Sequence, residues 1–193
     1  MYEFIEGEIV EKTPAHLILL NNGIAYHINI SLFTYSGLPE AGLVRIYIHQ
    51  TIREDAHTLY GFITRDEREI FRQLISVSGI GANTARVILS SLSPDEISNA
   101  ILEANVSILQ GIKGIGGKTA QRIIVDLKDK IAKGSKIDEF MFSERNTIHE
   151  ESLSALVALG FSKKQVEKVL GKMLSNEPNL TVEEVVKRAL KLL

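Results

Sequence analysis

Two glycine-rich segments of this chain contain the residue types that can hold a phosphate group. One is Val-Ser-Gly-Ile-Gly-Ala-Asn-Thr-Ala at 77–85, and the other, Ile-Lys-Gly-Ile-Gly-Gly-Lys-Thr-Ala at 112–120, begins 35 residues later. Each lies between apolar runs, which predicts a helix, a tight turn and a second helix. Glycines on both sides of an isoleucine allow a sharp turn and leave amide N–H groups at a helix N-terminus facing outward. Such amides bind phosphate without reading bases, so the predicted contact with nucleic acid is independent of sequence.

Polar and basic residues beside the two turns support this interpretation. Lys118 stands at the start of the helix that follows the second turn, where the helix dipole already favours an anion. Asn83 occupies the same place after the first turn. Arg122 and Arg86 follow the second and first turns, respectively. A tight helical corner with no ligand is the alternative, and the repetition of the whole pattern argues against it.

Two nucleotide-binding motifs are excluded by spacing. The run Gly-Gly-Lys-Thr at 116–119 resembles the end of a P-loop, but the position that needs the first glycine is Ile112. A dinucleotide-binding fingerprint would need its third glycine at Thr84 or Thr119. The chain is therefore not expected to bind ATP or a dinucleotide through these glycines.

The composition excludes several other classes of protein. The chain has 193 residues, of which 45% are hydrophobic, and it has no cysteine. Disulfides, thiol nucleophiles and cysteine-ligated metals are therefore excluded, and the five histidines have no metal-ligand spacing. No catalytic arrangement, signal peptide or membrane span can be defended, so we expect a cytoplasmic protein with no active site, metal, cofactor or membrane contact.

Charge is distributed unevenly along the chain. The net charge of −2 divides into −4 for residues 1–62, +2 for residues 63–134 and 0 for residues 135–193. Positive charge therefore collects around the two glycine turns. The acidic first segment predicts that part of the surface repels phosphate.

Residues 1–62 are predicted to form β structure. Five short runs are rich in β-branched and aromatic residues and are separated by turn residues, with Asn22-Gly23 as a strong hairpin signal. Five antiparallel strands in so short a span predict a small closed barrel of the OB type. The expected strands are Phe4–Lys12, His16–Leu20, Ile24–Ile30, Val44–Arg53 and Thr58–Phe62.

The rest of the chain is predicted to be helical, which makes the whole an α+β multidomain protein. Residues 63–132 form an all-α domain with tandem helix-hairpin-helix motifs, because the apolar period changes to that of a helix. Residues 133–147 lose this periodicity and are interpreted as a flexible linker. Residues 148–193 contain three capped helices, and such a small bundle after a linker is typical of a protein docking module.

An acidic turn interrupts the predicted barrel between its fourth and fifth strands. Glu54 and Asp55 are adjacent in the run Arg-Glu-Asp-Ala-His at 53–57. Acidic turns are usually solvent-exposed and have no further role. In a protein that holds phosphates elsewhere, a fixed negative tip can instead push nucleic-acid strands apart or prevent a duplex from docking.

Taken together, these segments resemble the RuvA family, the Holliday junction-binding subunits of a branch-migration complex. The resemblance covers the whole chain and depends on the order of barrel, acidic turn, paired Gly-Ile-Gly hairpins, linker and three-helix tail, together with Leu-Tyr-Gly-Phe at 59–62 and Ala-Leu-Val-Ala-Leu-Gly-Phe at 155–161. It implies a homotetramer that holds a four-way DNA junction open, with the enclosure of DNA by two tetramers left undecided. It also implies an AAA+ ATPase partner of the RuvB type that supplies the hydrolysis, and it leaves room for a junction-resolving nuclease.

The resemblance also implies roles for individual residues. Glu54 and Asp55 would form an acidic pin at the junction centre. Backbone phosphates would be held by the two hairpins, through Gly79, Gly81, Asn83, Gly114, Gly116, Lys118, Thr119 and Arg122. The ATPase would contact the C-terminal domain around Leu156, Leu159, Gly160 and Phe161. Asn83 departs from the basic residue expected by analogy with Lys118, so the first hairpin would bind through its amides.

Two other functions remain as alternatives. A helix-hairpin-helix glycosylase or lyase would use Lys118 as nucleophile and Asp138 as acid partner, but it needs neither a second hairpin nor an acidic loop. A single-strand-binding barrel would need aromatic stacking platforms, for which Phe33, Tyr35 and Tyr47 are the candidates.

Overall fold

The chain forms two compact units, Met1–Ala132 and Lys133–Leu193. The computed structural model describes the backbone of residues 2–140, 144–177 and 180–193, and their side chains except at 133–140, 144–147, 150 and 175–176. None of the helices in these ranges combines the length and apolar character needed to cross a bilayer.

The first unit begins with a closed five-stranded barrel, as predicted. The strands are β1 (Phe4–Lys12), β2 (His16–Asn21), β3 (Ile24–Ile30), β4 (Leu43–Ile52) and β5 (His57–Phe62), in the order β1-β2-β3-β5-β4. Alternate apolar residues point inward and form its core: Ile5, Leu17, Leu19, Ile28, Ile30, Ile46 and Ile48. Asn22 and Gly23 have φ angles of 47° and 83°, as a two-residue hairpin turn of this kind requires, which confirms the predicted β2–β3 hairpin.

The prediction that all strands are antiparallel is wrong for one pair. β3 runs parallel to β5 over three residue pairs, from Ile28 opposite Leu59 to Ile30 opposite Gly61. Between β3 and β4 the chain forms a short helix, α1 (Leu32–Gly37), which connects two strands that are not neighbours in the barrel. Because α1 contains Leu, Phe, Thr and Tyr, residue types also common in strands, its composition does not predict a helix.

Four helices and the part of a fifth up to Ala132 complete the first unit, and they share a core with Tyr60 and Phe62 of the barrel. They are α2 (Arg65–Ile75), α3 (Ala82–Ser91), α4 (Pro94–Leu102), α5 (Val106–Gln110) and α6 (Gly117–Phe140). Phe71 of α2 is fully buried, and its ring lies 5.2 Å from that of Tyr60 and 4.8 Å from that of Phe62, both on β5. The barrel and the hairpin helices up to residue 132 therefore pack as one body.

A buried carboxylate links the barrel to α2. Glu67 accepts hydrogen bonds from Ser31 Oγ (2.5 Å), Thr34 Oγ1 (2.6 Å) and the N–H of Ile63 (3.2 Å). Burial raises the pKa of Glu67, and the three donors partly oppose that effect because they stabilise the carboxylate. This single side chain thus joins α1, the end of β5 and the start of α2.

Part of the predicted linker is helical. α6 continues past the buried Ile131 to Phe140, and α7 begins at Glu144, so residues 133–140 and 144–147 belong to helices. Alanine and lysine at 132–133 have high helix propensity, and a helix can therefore propagate beyond the residues that anchor it in a core. Residues 141–143 of the predicted linker lie outside the described residues.

The second unit contains the three predicted C-terminal helices, α7 (Glu144–Ala158), α8 (Lys163–Asn176) and α9 (Val182–Ala189). Ser162 and Thr181 cap α8 and α9 through their side chains, as predicted. The helices enclose a small core of Leu156, Val166, Leu170, Leu180, Val185 and Ala189.

Candidate nucleic-acid interface

The first glycine hairpin is a tight turn between α2 and α3. Gly79 has a φ of 90°, a left-handed conformation that favours glycine. The N–H of Ile80 donates to the carbonyl of Val77 at 3.1 Å, and the Ile80 side chain is buried. The isoleucine therefore anchors the turn in the core, as its pattern predicts, and α3 begins directly after Gly81.

The second hairpin repeats this backbone arrangement between α5 and α6. Gly114 also has a φ of 90°, and the N–H of Ile115 donates to the carbonyl of Ile112 at 3.0 Å. The first hydrogen bond of the following helix agrees as well, at 3.0 Å from Ala85 to Gly81 and 2.9 Å from Ala120 to Gly116. Two copies of one turn geometry thus lie in the same unit.

The helices that follow the hairpins have open N-termini. α2, α4 and α5 of this unit each have a capping side chain that accepts a hydrogen bond from the first turn, whereas α3 follows a glycine and has none. The first N–H groups of a helix have no acceptor within the helix. Within the described ranges, no protein group accepts from the amides of Gly81, Ala82 and Asn83, or from those of Gly116, Gly117 and Lys118.

The four hairpin glycines fall into two classes. Gly79 and Gly114 are required by their positive φ angles. Gly81 has a φ of −86°, and a Cβ atom built on either Gly81 or Gly116 would meet no atom within 4 Å. Nothing in the described fold therefore requires glycine at these two positions. Both are exposed, and a missing side chain there allows a ligand to approach the amides closely.

Basic side chains surround both hairpins, although not in the arrangement that their sequence order suggests. Lys118 is exposed in the first turn of α6, next to the half-buried Thr119, and Asn83 is exposed in the first turn of α3. Arg122 of α6 donates from Nη1 to the carbonyl oxygen of Ser78 at 3.1 Å. The second motif thus places a guanidinium beside the first hairpin, which has no basic residue at its own helix start.

Arg86 is engaged within the protein. Its Nη1 donates to the carbonyl oxygen of Ala15 and to Oδ1 of Asn29, both at 3.1 Å. The sequence alone identified Arg86 as a cation that follows the first hairpin and predicted no partner for it. Its partners belong to the barrel, 71 and 57 residues away, and no local pattern identifies them.

The acidic turn lies at the β4–β5 end of the barrel. The N–H of Arg53 donates to the carbonyl of Ala56 at 2.8 Å, which closes a tight turn with Glu54 and Asp55 at its tip. Both carboxylates are exposed, and neither forms an ion pair with any residue in the described ranges. The turn thus presents two carboxylates to solvent, neither of them in an ion pair with a described residue.

The four C-terminal residues predicted to contact a partner differ in exposure. Leu156 is fully buried in the core of the second unit, and Phe161 packs against that core. Gly160 has a φ of 99° and ends α7. Leu159 is 61% exposed, so it is the apolar side chain of the four that can contact another protein directly.

The described residues contain no group of three or more His, Asp or Glu side chains arranged to hold a metal ion. The candidate site therefore consists of backbone amides, a few cations and a separate pair of carboxylates. Such a site can bind and orient a polyanion but offers no nucleophile with an activating base.

Models of three protein domains match this chain. The model described as RuvA N terminal domain matches residues 1–61, a SAM-like helix-hairpin-helix tandem matches residues 71–129, and the RuvA C-terminal domain matches residues 147–193. These boundaries follow the barrel, the paired hairpins and the C-terminal helices.

Curated relatives are similar over the full length of the chain. Proteins of Christiangramia forsetii and Flavobacterium psychrophilum are each 50% identical over 191 residues, covering 99% of both chains. A protein of Bacteroides fragilis is 47% identical over 199 residues with the same coverage. All three are named Holliday junction branch migration complex subunit RuvA.

Proposed function

Because the chain belongs to the RuvA family, we propose that it binds four-way DNA junctions without sequence preference, holds them open and recruits a RuvB-type AAA+ ATPase for branch migration. In this function the chain is the DNA-binding subunit of a recombination and repair machine. ATP hydrolysis takes place in the partner, and this chain needs no cofactor. The cytoplasm, where the chromosome lies, is the proposed location.

The main support for this proposal is that α3 and α6, the helices that follow the two matching hairpins, both have N-termini without a capping side chain. A phosphate oxygen placed at either one meets free amide donors and the positive end of a helix dipole. We assign the phosphate contacts to the hairpin amides and the side chains beside them: Gly79, Gly81, Asn83, Gly114, Gly116, Lys118, Thr119 and Arg122. Backbone amides bind the phosphates of any DNA sequence, and a protein that acts at junctions of arbitrary sequence needs such contacts.

The acidic turn supplies discrimination between DNA structures. Glu54 and Asp55 lie on the same compact unit as the hairpins, so a DNA arm held by the hairpins meets a negative charge in a fixed place. A continuous duplex at that place brings phosphates towards the carboxylates, which repel them. At the open centre of a four-way junction the strands separate, and the same carboxylates keep them apart.

We further propose that the chain acts as a homotetramer. Four subunits related by fourfold symmetry match the four arms of a junction and gather four copies of the acidic turn at its centre. A second tetramer on the opposite face would enclose the DNA, and an exposed junction face would admit a resolving nuclease. These two arrangements exclude each other on the same face, because a bound tetramer covers the DNA that a nuclease must reach.

The C-terminal unit is the proposed contact for the ATPase. Among the side chains that the structure describes, six fully or nearly buried apolar residues form its core, which is typical of a small docking module. Leu159 is the proposed contact residue, and Leu156, Gly160 and Phe161 support the turn that presents it.

The alternatives have less support. A lyase would need a carboxylate close to Lys118, and none forms an ion pair with it in the described part of the chain; the side chain of Asp138 lies outside the described residues. For single-strand binding, Lys12 Nζ lies 4.5 Å from the centre of the Tyr35 ring, and the Tyr47 ring lies 5.4 Å from the guanidinium of Arg68 and packs against the helical core. Neither ring is a free stacking platform.

A competition titration tests the proposal directly. The purified chain is titrated against a four-way junction and a linear duplex of the same arm sequence, at one stated moderate salt concentration, because phosphate contacts depend steeply on salt. Strong preference for the junction is the expected result. Equal affinity would reduce the hairpins to general phosphate clamps and would contradict the proposal.

A further inference from the structure

A chain of hydrogen bonds runs from the first hairpin helix to the strand that follows the acidic turn. Arg86 of α3 donates to Oδ1 of Asn29 on β3 at 3.1 Å. The amide nitrogen of Asn29 donates in turn to the carbonyl oxygen of Leu59 on β5 at 3.3 Å. β5 begins at His57, immediately after the acidic turn, so two side-chain bonds separate the hairpin helix from that strand.

This connection crosses the shortest pairing in the barrel. β3 and β5 share three residue pairs, with Asn29 opposite Tyr60, whereas the other strand pairs are longer. A short seam between two strands is less constrained by its backbone ladder than a long one. The Asn29 side chain therefore adds a constraint at the shorter of the two pairings of β5, the strand that follows the acidic turn.

The same face of α3 is attached to the barrel a second time. Arg86 also donates to the carbonyl oxygen of Ala15 in the β1–β2 turn at 3.1 Å. One helical turn further on, Ser90 Oγ accepts from the N–H of Leu32 in α1 at 3.1 Å and donates to the carbonyl of Arg86 at 2.8 Å. α3 is thus bound to three barrel segments, to two of them through Arg86 in the middle of the helix and to the third through Ser90 near the end opposite the hairpin.

We propose that Arg86 is a positioning residue, which fixes the first hairpin relative to the acidic turn and thereby sets the preference for junctions over duplex. The inference rests on the proposed function. Repulsion by Glu54 and Asp55 distinguishes a junction from a duplex only if these carboxylates cannot move away from a duplex that the hairpins hold. With the hairpin end of α3 free to shift, a duplex can be gripped while the carboxylates swing clear, and the selectivity falls.

A competing role for Arg86 is direct binding of phosphate, and the two roles predict different behaviour. A phosphate ligand releases counterions, so its removal lowers the slope of log affinity against log salt by about one. A positioning residue leaves that slope unchanged. It also depends on Asn29, a neutral residue that contributes no counterion release.

The experiment is a double-mutant cycle with Arg86→Leu, Asn29→Ala and the double variant in the full-length chain. Affinities for a four-way junction and a matched duplex are measured over a series of salt concentrations, and thermal unfolding confirms that each variant is folded. We expect each single variant to lower the junction-to-duplex preference by about three- to tenfold, as for the net loss of one ordinary hydrogen bond. The double variant should lose no more than either single one, with salt slopes unchanged.

Additive losses with a lower salt slope in Arg86→Leu would assign Arg86 to phosphate binding and overturn the inference. Unchanged preference in both single variants would overturn it as well, while a wild-type chain that prefers junctions would leave the proposed function intact. A wild-type chain without junction preference would overturn the proposed function and this inference with it. If Asn29→Ala does not fold, Asn29→Ser replaces it in the cycle, because serine removes the bond to Arg86 with less loss of polar character.

Discussion

The guanidinium of Arg122 lies beside Ser78 and donates a hydrogen bond of 3.1 Å to its carbonyl oxygen. The two residues belong to different hairpins, 44 positions apart in the chain. A cation from the second motif therefore lies beside the first hairpin, whose following helix has the uncharged Asn83 in its first turn. The two hairpins share their charged groups, and we expect them to behave as one binding surface.

Arg122→Ala should lower junction affinity by about tenfold, because it removes a proposed phosphate contact of the second hairpin and the guanidinium that donates to the carbonyl oxygen of Ser78. The slope of log affinity against log salt should fall by about one. Titrations at several salt concentrations measure both effects. Lys128→Ala, an exposed cation further along α6, is the matched control and should change little. Equal effects of the two variants would mean that only net charge matters.

Gly81→Ala should change stability by less than about 1 kcal/mol, because the loss of a glycine at the N-cap is opposed by the lower entropy of the unfolded chain, and the position has an ordinary φ angle and open space around it. Junction affinity should nevertheless fall about tenfold, since the new methyl group stands where a phosphate approaches the amides. Gly79→Ala is the contrasting variant and should cost about 1–2 kcal/mol of stability through its left-handed backbone. Thermal unfolding and binding titrations separate the two effects. Full binding by Gly81→Ala would remove these amides from the interface.

Glu54→Gln combined with Asp55→Gln should keep junction binding and raise duplex affinity, because the change removes a repulsion and no attraction. The gain should be largest at low salt, where screening is weakest. Competition between junction and duplex measures it. Equal loss of binding to both DNAs would show that the carboxylates support the structure of the site instead.

Glu67→Gln tests the buried carboxylate between the barrel and α2. Burial raises the pKa of Glu67 in the folded chain, so the folded state takes up a proton more readily than the unfolded state does. The contribution of Glu67 to stability is therefore fullest below its unfolded pKa and declines as pH rises through the folded pKa. The free energy of unfolding of the wild type, relative to Glu67→Gln, should rise between pH 7 and pH 5. Urea titrations at both pH values measure it, and parallel profiles would contradict the assignment.

Leu159→Ala should weaken stimulation of the ATPase partner and leave junction binding and folding intact, because this side chain is 61% exposed. Truncation after Gly134 should abolish stimulation altogether. Leu156→Ala is the matched control for a buried neighbour and should destabilise the C-terminal unit by about 2–5 kcal/mol. ATP hydrolysis by the partner, measured with each variant on junction DNA, is the readout. Unchanged stimulation by the truncated chain would place the partner contact elsewhere.

Local patterns in the sequence were sufficient to predict much of this structure. The Gly-Ile-Gly turns, the Asn22-Gly23 hairpin and the caps at Ser162 and Thr181 each depend on a few neighbouring residues, and all were predicted correctly. The buried positions of the strands and helices follow from the regular spacing at which each type of element places side chains on one face.

Features that depend on distant residues could not be predicted. Arg122 and Arg86 are both cations that follow a hairpin, yet one lies beside the opposite hairpin and the other is bound to the barrel. The parallel pairing of β3 with β5 depends on α1, which no strong local signal marks. Likewise, Leu156 and Leu159 are three positions apart in an apolar run, and only the packing of three helices separates the buried one from the exposed one.

The two classes of hairpin glycine imply different selective pressures. Gly79 and Gly114 are constrained by their own backbone torsion, so any descendant that keeps the turn will keep them. The described fold does not require glycine at positions 81 and 116, and glycine is an advantage there only because a ligand can approach the backbone closely. In a lineage that retained the fold but abandoned DNA, the second glycine of each turn would drift first. Substitution there would mark the loss of the function before any change in architecture.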